Sequence, residues 1–241
     1  MKYKHGWNPD IPDIRDYKYR LGTTTKRSVD LSSFCSEIED QKSLGSCTAN
    51  ALVGAMEFLE KSASFCNLSR LFVYYYERLL EGTVNYDAGA SLRDGIKVLA
   101  KQGVCPESDW PYLIKSFRKA PTKKCIVEAL SRKIVQYNRL STVDDMRHCL
   151  VCGYPFVFGF AVYESFESTL VAKTGIVKLP VAGEKSLGGH AVMAVGYDDS
   201  AQRFKVRNSW GKGWGKHGYF TIPYEYLADR NLSDDFWQIV R

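Results

Sequence analysis

Cys47 closes the stretch Gln41-Lys42-Ser43-Leu44-Gly45-Ser46 and stands directly ahead of an amphipathic segment. A thiol at a helix N-terminus feels the positive end of the macrodipole. That favours the thiolate, the form that attacks carbonyl carbons. Gly45 beside it lets a substrate backbone come close. His190 follows Gly188 and Gly189 and opens the apolar run 191–197. An imidazole at the mouth of a buried strand is held rigidly and can face a cleft. Each residue alone has a plainer reading: the cysteine as a small buried apolar group, the histidine as a satisfied core residue. The stretch 208–219 is more specific. It opens on Asn208 and places Trp210, Trp214 and four glycines within twelve residues, which is not generic loop chemistry.

These residues need rigid supports. Residues 47–61 carry Leu52, Ala55, Met56 and Leu59 on one helical face, with Glu57 and Lys61 as an i,i+4 pair on the side expected to be wet. Residues 69–81 read as a second helix, opened by Ser69 and closed by Gly82, and 91–102 as a third, capped by Ser91 and ended by Gly103. A further helix is expected at 142–151. The runs 156–163 and 191–197 are almost continuously apolar, as in strands buried on both faces, and 203–208 and 219–222 follow as shorter strands. Helices first and strands second predict an α+β chain of two packed lobes with the join near Arg132 and Lys133.

The bulk composition is that of an ordinary globular protein: 241 residues, 45% hydrophobic, 25% charged, formal net charge +6. No apolar stretch approaches the length of a membrane span. Residues 1–20 hold charges throughout, so no signal-peptide core is expected there. The basic residues are scattered, densest at 115–124, and no basic stripe is interleaved with stacking aromatics, which argues against a nucleic-acid footprint. Seven cysteines, an odd number, suit free thiols in a reducing compartment such as the cytoplasm. His148, Cys149 and Cys152 offer a weak metal or redox pattern without a second ligand pair.

Taken together, Gln41, Cys47, His190, Asn208 and Trp210 resemble the motifs of the papain-like cysteine peptidases. His190 lies 143 residues after Cys47 and Asn208 lies 161 after it, close to that family's known spacing. The resemblance spans about residues 29–241. Through 89–95 and 103–112 it extends to a prokaryotic and viral branch. It implies a two-lobed fold with a helical N-terminal lobe (29–132), an antiparallel, β-barrel-like C-terminal lobe (133–241) and the active-site cleft between. It also implies the roles. Cys47 would be the nucleophile, and His190 its partner, an imidazolium that returns a proton to the leaving amine. Asn208 would orient His190, and Trp210 would shield that bond. The side chain of Gln41 and the backbone N–H of Cys47 would stabilise the oxyanion, each donor being worth about 3–4 kcal/mol. A cysteine endopeptidase acting as a monomer on polypeptides, without metal or cofactor, is the expectation. A transpeptidase or transamidase using the same site and a peptide-binding pseudoenzyme are the rivals.

By the same resemblance Gly45 and Ser46 would line the cleft, Gly89 and Ala90 would bind an extended peptide through the backbone, and Gly159, Gly189 and Ala191 would border the pocket for the residue two before the cut. Small residues there imply a roomy apolar pocket suited to Leu or Phe, with 224–227 a candidate for its far end. Leu44 stands where the family usually has a disulfide cysteine, and the partner position falls near Asp87. The extension 1–28 is short for a prodomain. Its mixture of aromatics and prolines (Trp7, Pro9, Pro12, Tyr17, Tyr19) favours extended chain. Two readings stay open for it: a short propeptide lying across the cleft, or a segment packed on the surface of a lobe.

Overall fold

The computed structural model describes residues 3–20, 22, 26–60 and 66–241. After a strand β1 (Ser28–Asp30) come the helices α1 (Cys47–Leu59), α2 (Arg70–Leu80), α3 (Leu92–Lys101) and α4 (Lys123–Ala129). The remainder alternates β2 (Gln136–Arg139), α5 (Val143–Val151), β3 (Phe156–Tyr163), α6 (Thr169–Thr174), β4 (Ser186–Asp198), β5 (Arg203–Arg207), β6 (Tyr219–Pro223), α7 (Tyr224–Ala228) and β7 (Ser233–Val240). The helix starts follow their local chemistry. Ser69 accepts from the Phe72 N–H, Ser91 from the Asp94 N–H, and Thr142 and Asp145 form a reciprocal capping box.

The strands form one antiparallel sheet in the order β2-β7-β3-β4-β5-β6, with β1 paired to β4. Alternating side chains of β3, β4 and β7 divide between two cores. Val157, Met193, Val195, Trp237 and Ile239 pack with α1–α3. Phe156, Phe158, Phe160, Val192, Ala194 and Phe236 pack on the other face with α5 and α7. The runs 156–163 and 191–197 are thus strands covered on both faces. Strands β1, β2 and β7 carry no clear apolar alternation or run in the sequence. The last of these sits between β2 and β3, and its opening residues Ser233, Asp234 and Asp235 hide a strand pattern.

Helix α1 departs from its amphipathic reading. It is buried nearly all round, because α2 and α3 cover one side and β4 the other. Glu57 is therefore not on a wet face. Its carboxylate accepts from the Ser36 hydroxyl (2.5 Å) and the Leu68 N–H (2.8 Å), while Lys61 lies outside the described residues. All seven cysteines are free thiols. Among the described residues no helix is long and apolar enough to cross a membrane.

Candidate active site

Cys47 is the first residue of α1, and the helix has no side-chain N-cap. The hydroxyl of Ser46 lies 2.5 Å from that of Tyr112 instead, and Asn50 donates back to the Ser46 carbonyl (2.8 Å). The first-turn N–H groups at Cys47 are left without a capping side chain, so they remain available to an incoming oxygen. His190 comes from β4 and is fully buried. Its Nε2 lies 2.8 Å from Asn208 Oδ1, which also accepts from the Ser209 N–H (2.8 Å). Trp210 lies over the imidazole with ring centres 4.9 Å apart. The other imidazole nitrogen, Nδ1, is buried without a hydrogen-bond partner among the described residues.

Gln41 is fully buried beside this group. Its Oε1 accepts from the Ser209 hydroxyl (2.7 Å), which leaves the amide nitrogen to donate to the carbonyls of Leu44 (3.0 Å) and Lys4 (3.1 Å). The second acceptor belongs to the N-terminal segment. Residues 3–10 run across the cleft as an extended strap. The Trp7 N–H donates to Gly189 O (3.0 Å), the Asn8 N–H to Ala90 O (3.0 Å), and the Ala90 N–H to Gly6 O (2.8 Å). The strap pairs with Ala90 in parallel.

Only glycines fit where it passes the nucleophile. A Cβ on Gly6 would fall 1.9 Å from the Gly45 carbonyl oxygen, and one on Gly89 (φ +73) would fall 2.2 Å from the Gly6 carbonyl oxygen. The close backbone approach that Gly45 permits is thus made by the chain itself. Upstream, Tyr3 stacks on Trp210 at 4.4 Å and donates to its carbonyl (3.0 Å), while His5 meets Glu167 (3.0 Å). Downstream, the Trp7 indole covers Gly159 and Gly189, where any Cβ would overlap it.

Where the resemblance offered 224–227 as a far end, the Trp7 indole meets Asp235, whose Oδ2 accepts from Trp7 Nε1 (3.1 Å) and from the Asp10 N–H (2.8 Å). Asp235 Oδ1 pairs with Arg139 (3.0 Å). Asp10 is itself held by the Arg93 N–H (3.0 Å) and Trp237 Nε1 (2.9 Å). Burial, with the Asp10 charge adding to it, pushes the Asp235 carboxyl up to about 7. No single-residue signal marked Asp235 or the strap residues Tyr3–His5, because their roles arise from contacts between separate chain segments, Tyr3 with Trp210 and Trp7 with Asp235 being more than 200 residues apart.

The ionisation under the strap is also the reverse of the helix-dipole expectation. Burial pushes the Cys47 thiol up to about 12, opposed in part by hydrogen bonding from the Ala191 and Gly6 backbone. Burial likewise holds His190 down at about 3, against the raising effect of Asn208. Desolvation of both groups outweighs the dipole, so the covered pair is a neutral thiol and a neutral imidazole. Elsewhere, His148 meets the Tyr19 hydroxyl (2.8 Å) and Cys152 Sγ (3.7 Å). No group of three His, Cys, Asp or Glu side chains among the described residues is placed to hold a metal ion.

Residues 25–231 match the family described as papain family cysteine protease. The chain is 46% identical over 226 residues to a peptidase C1-like protein of Acanthamoeba polyphaga mimivirus, covering 89% of this chain and 72% of that one. It is 26% identical to pro-cathepsin H of Medicago truncatula, of which it spans about half (53%, with 78% of this chain covered). Among solved structures, xylellain, a cysteine protease from Xylella fastidiosa, superposes with a TM-score of 0.92 at 42% identity, covering 100% of this chain and 97% of that one. Procathepsin L 3 of Tenebrio molitor shares the fold at a TM-score of 0.73 and 18% identity, over 94% and 74% of the two chains. The chain belongs to the papain family of cysteine proteases and is a hydrolase of that family.

Proposed function

We propose that this chain is a cysteine endopeptidase that works through Cys47, His190 and Asn208, and that residues 3–10 are a built-in block of its cleft. The observation that carries this reading is the extended strap, hydrogen-bonded to Ala90 on one wall and Gly189 on the other as it passes Cys47. A cleft that binds one extended peptide through the backbone suits others.

In an open cleft, water returns to Cys47 and His190. The thiol proton passes to His190 Nδ1, the nitrogen free of hydrogen bonds. The thiolate attacks the scissile carbonyl carbon and forms the C–S bond. The negative charge moves to oxygen, where Gln41 Nε2 and the Cys47 N–H donate to it. Collapse breaks the C–N bond, and the departing amine takes the proton from His190. Water then attacks the thioester, gives a proton to His190 and frees the acid product and the thiol. Asn208 holds the imidazole by its other nitrogen throughout.

A substrate whose residue two before the cut fills the Trp7 pocket runs opposite to the strap, because Gly6 and His5 lie between that pocket and Trp210. A reversed peptide offers its carbonyl in the wrong sense for attack, which accounts for a strap that occupies the site intact.

Labelling with an epoxide cysteine-peptidase probe tests the reading. Slow labelling of the full chain, fast labelling of a chain starting at Val29, and none in Cys47→Ala are expected. Equal rates for the two lengths would remove the block. No labelling of either would remove the peptidase.

A further inference from the structure

We propose that Asp235 makes the pocket occupied by Trp7 selective for an indole, so that tryptophan is the preferred substrate residue there. This deepens the reading above and rests on it. The geometry has three parts. The side walls are Gly159 and Gly189, and the indole occupies the space any Cβ there would fill, 1.9 and 2.5 Å from its ring atoms. A flat bicyclic ring is what such walls admit. The far end is not apolar: Asp235 Oδ2 accepts the indole N–H at 3.1 Å. The carboxylate is placed there by an irregularity in the β3–β7 ladder. Val157 pairs with Trp237 but Gly159 pairs with Asp234, so β7 carries one extra residue. Asp235 lies within it at φ +59. Bulges of this kind re-aim a side chain.

The charge balance narrows the choice of donor. Arg139 already holds Asp235 Oδ1 at 3.0 Å, and Asp234 at 2.9 Å. Oδ2 is left for a donor from the cleft, and with the strap gone it loses both the Trp7 and Asp10 N–H groups. A single uncharged N–H on a flat ring satisfies it. A phenyl ring leaves a carboxylate oxygen buried without a donor, which is costly. A guanidinium would bring a second cation against Arg139.

The test uses the full chain carrying Gly6→Ala, which opens the cleft, and peptides differing only at the residue two before the cut. Tryptophan is compared with benzothienylalanine, which keeps the ring shape and replaces N–H by sulfur, and with phenylalanine and arginine. At about pH 8, above the value of about 7 to which burial pushes Asp235 and therefore with its carboxyl ionised, at least a tenfold higher kcat/KM for tryptophan over benzothienylalanine is expected, as for loss of a hydrogen bond to a charged group. Asp235→Asn, whose side chain tolerates the positive φ, should shrink that ratio several-fold. Direct binding of the same peptides to the Gly6→Ala, Cys47→Ala chain gives the same comparison without turnover. A ratio near one in both assays, or a preference for Phe or Arg, overturns the assignment. Tryptophan-selective binding with no cleavage by the Gly6→Ala chain, which keeps the Cys47 thiol, would keep Asp235 and remove the peptidase reading instead.

Discussion

The side-chain nitrogen of Gln41 lies 3.1 Å from the carbonyl oxygen of Lys4. A donor suited to a substrate oxyanion is occupied by the chain's own backbone. The strap is held on both sides of this contact, by Tyr3 against Trp210 and by Trp7 against Asp235. Its narrowest point is Gly6 between Gly45 and Gly89.

Gly6→Ala should therefore expel the strap. The added methyl would sit 1.9 Å from a backbone oxygen that cannot rotate away. Strain of even 1.4 kcal/mol shifts the closed–open balance about tenfold. Labelling of Cys47 in the full-length variant should accelerate by at least about that factor. An unchanged rate would mean the strap does not limit access.

The thiol gives a pH signature. Closed, Cys47 is raised to about 12 by burial; open, it returns towards an ordinary thiol value. A group raised in the closed state favours closure below its open-state pKa, and that contribution is lost as pH rises towards the closed value. Alkylation of the full chain should stay slow at neutral pH and climb steeply above about pH 9. In Gly6→Ala the climb should begin well below that, since solvent, the α1 dipole and His190 then favour the thiolate. The two rate–pH profiles check this, and superimposable curves would contradict it.

Gln41→Ala in the opened chain should lower kcat about a hundred- to a thousandfold with little change in KM, the signature of a donor used only in the transition state. Ser209→Ala should give a smaller loss of the same kind. Its hydroxyl fixes which end of the Gln41 amide faces the cleft (2.7 Å to Oε1) and touches no substrate. Steady-state kinetics separate the two. A KM effect would move Gln41 to ground-state binding.

Much of this site was legible because its signals are local. Cys47 before a helix, His190 at the head of an apolar strand and Asn208 in a Gly-Trp loop each carry their setting within a few residues. The capped starts of α2, α3 and α5 do too. What was hidden depends on distant partners. Glu57 sits at a polar spacing on α1, but Ser36 and Leu68 bury it. The ionisation of Cys47 and His190 depends on whether residues 3–10 cover them. Composition left two readings of that segment, and backbone pairing with Ala90 and Gly189 decides where it lies. Asp235 reaches the pocket only because β7 bulges against β3.

The absent family cross-link between the positions of Leu44 and Asp87 has a polar counterpart. The Asp87 carboxylate accepts from the Gly45 N–H (3.1 Å) and the Tyr74 hydroxyl and pairs with Lys4 (2.8 Å). It thus ties the loop before the nucleophile to the wall that carries Gly89. Asp87→Ala leaves a buried N–H and a buried hydroxyl without their acceptor, a cost of about 1–3 kcal/mol. In a chain of this size each kcal/mol moves Tm by about 2–4 °C. A Tm lowered by about 5 °C is expected for the variant, with no change on adding a reductant to the parent chain, because this tie contains no disulfide. Thermal unfolding of both chains with and without the reductant measures this. A reductant-sensitive parent would instead reveal a disulfide among the seven cysteines, all of which are free thiols in the structure.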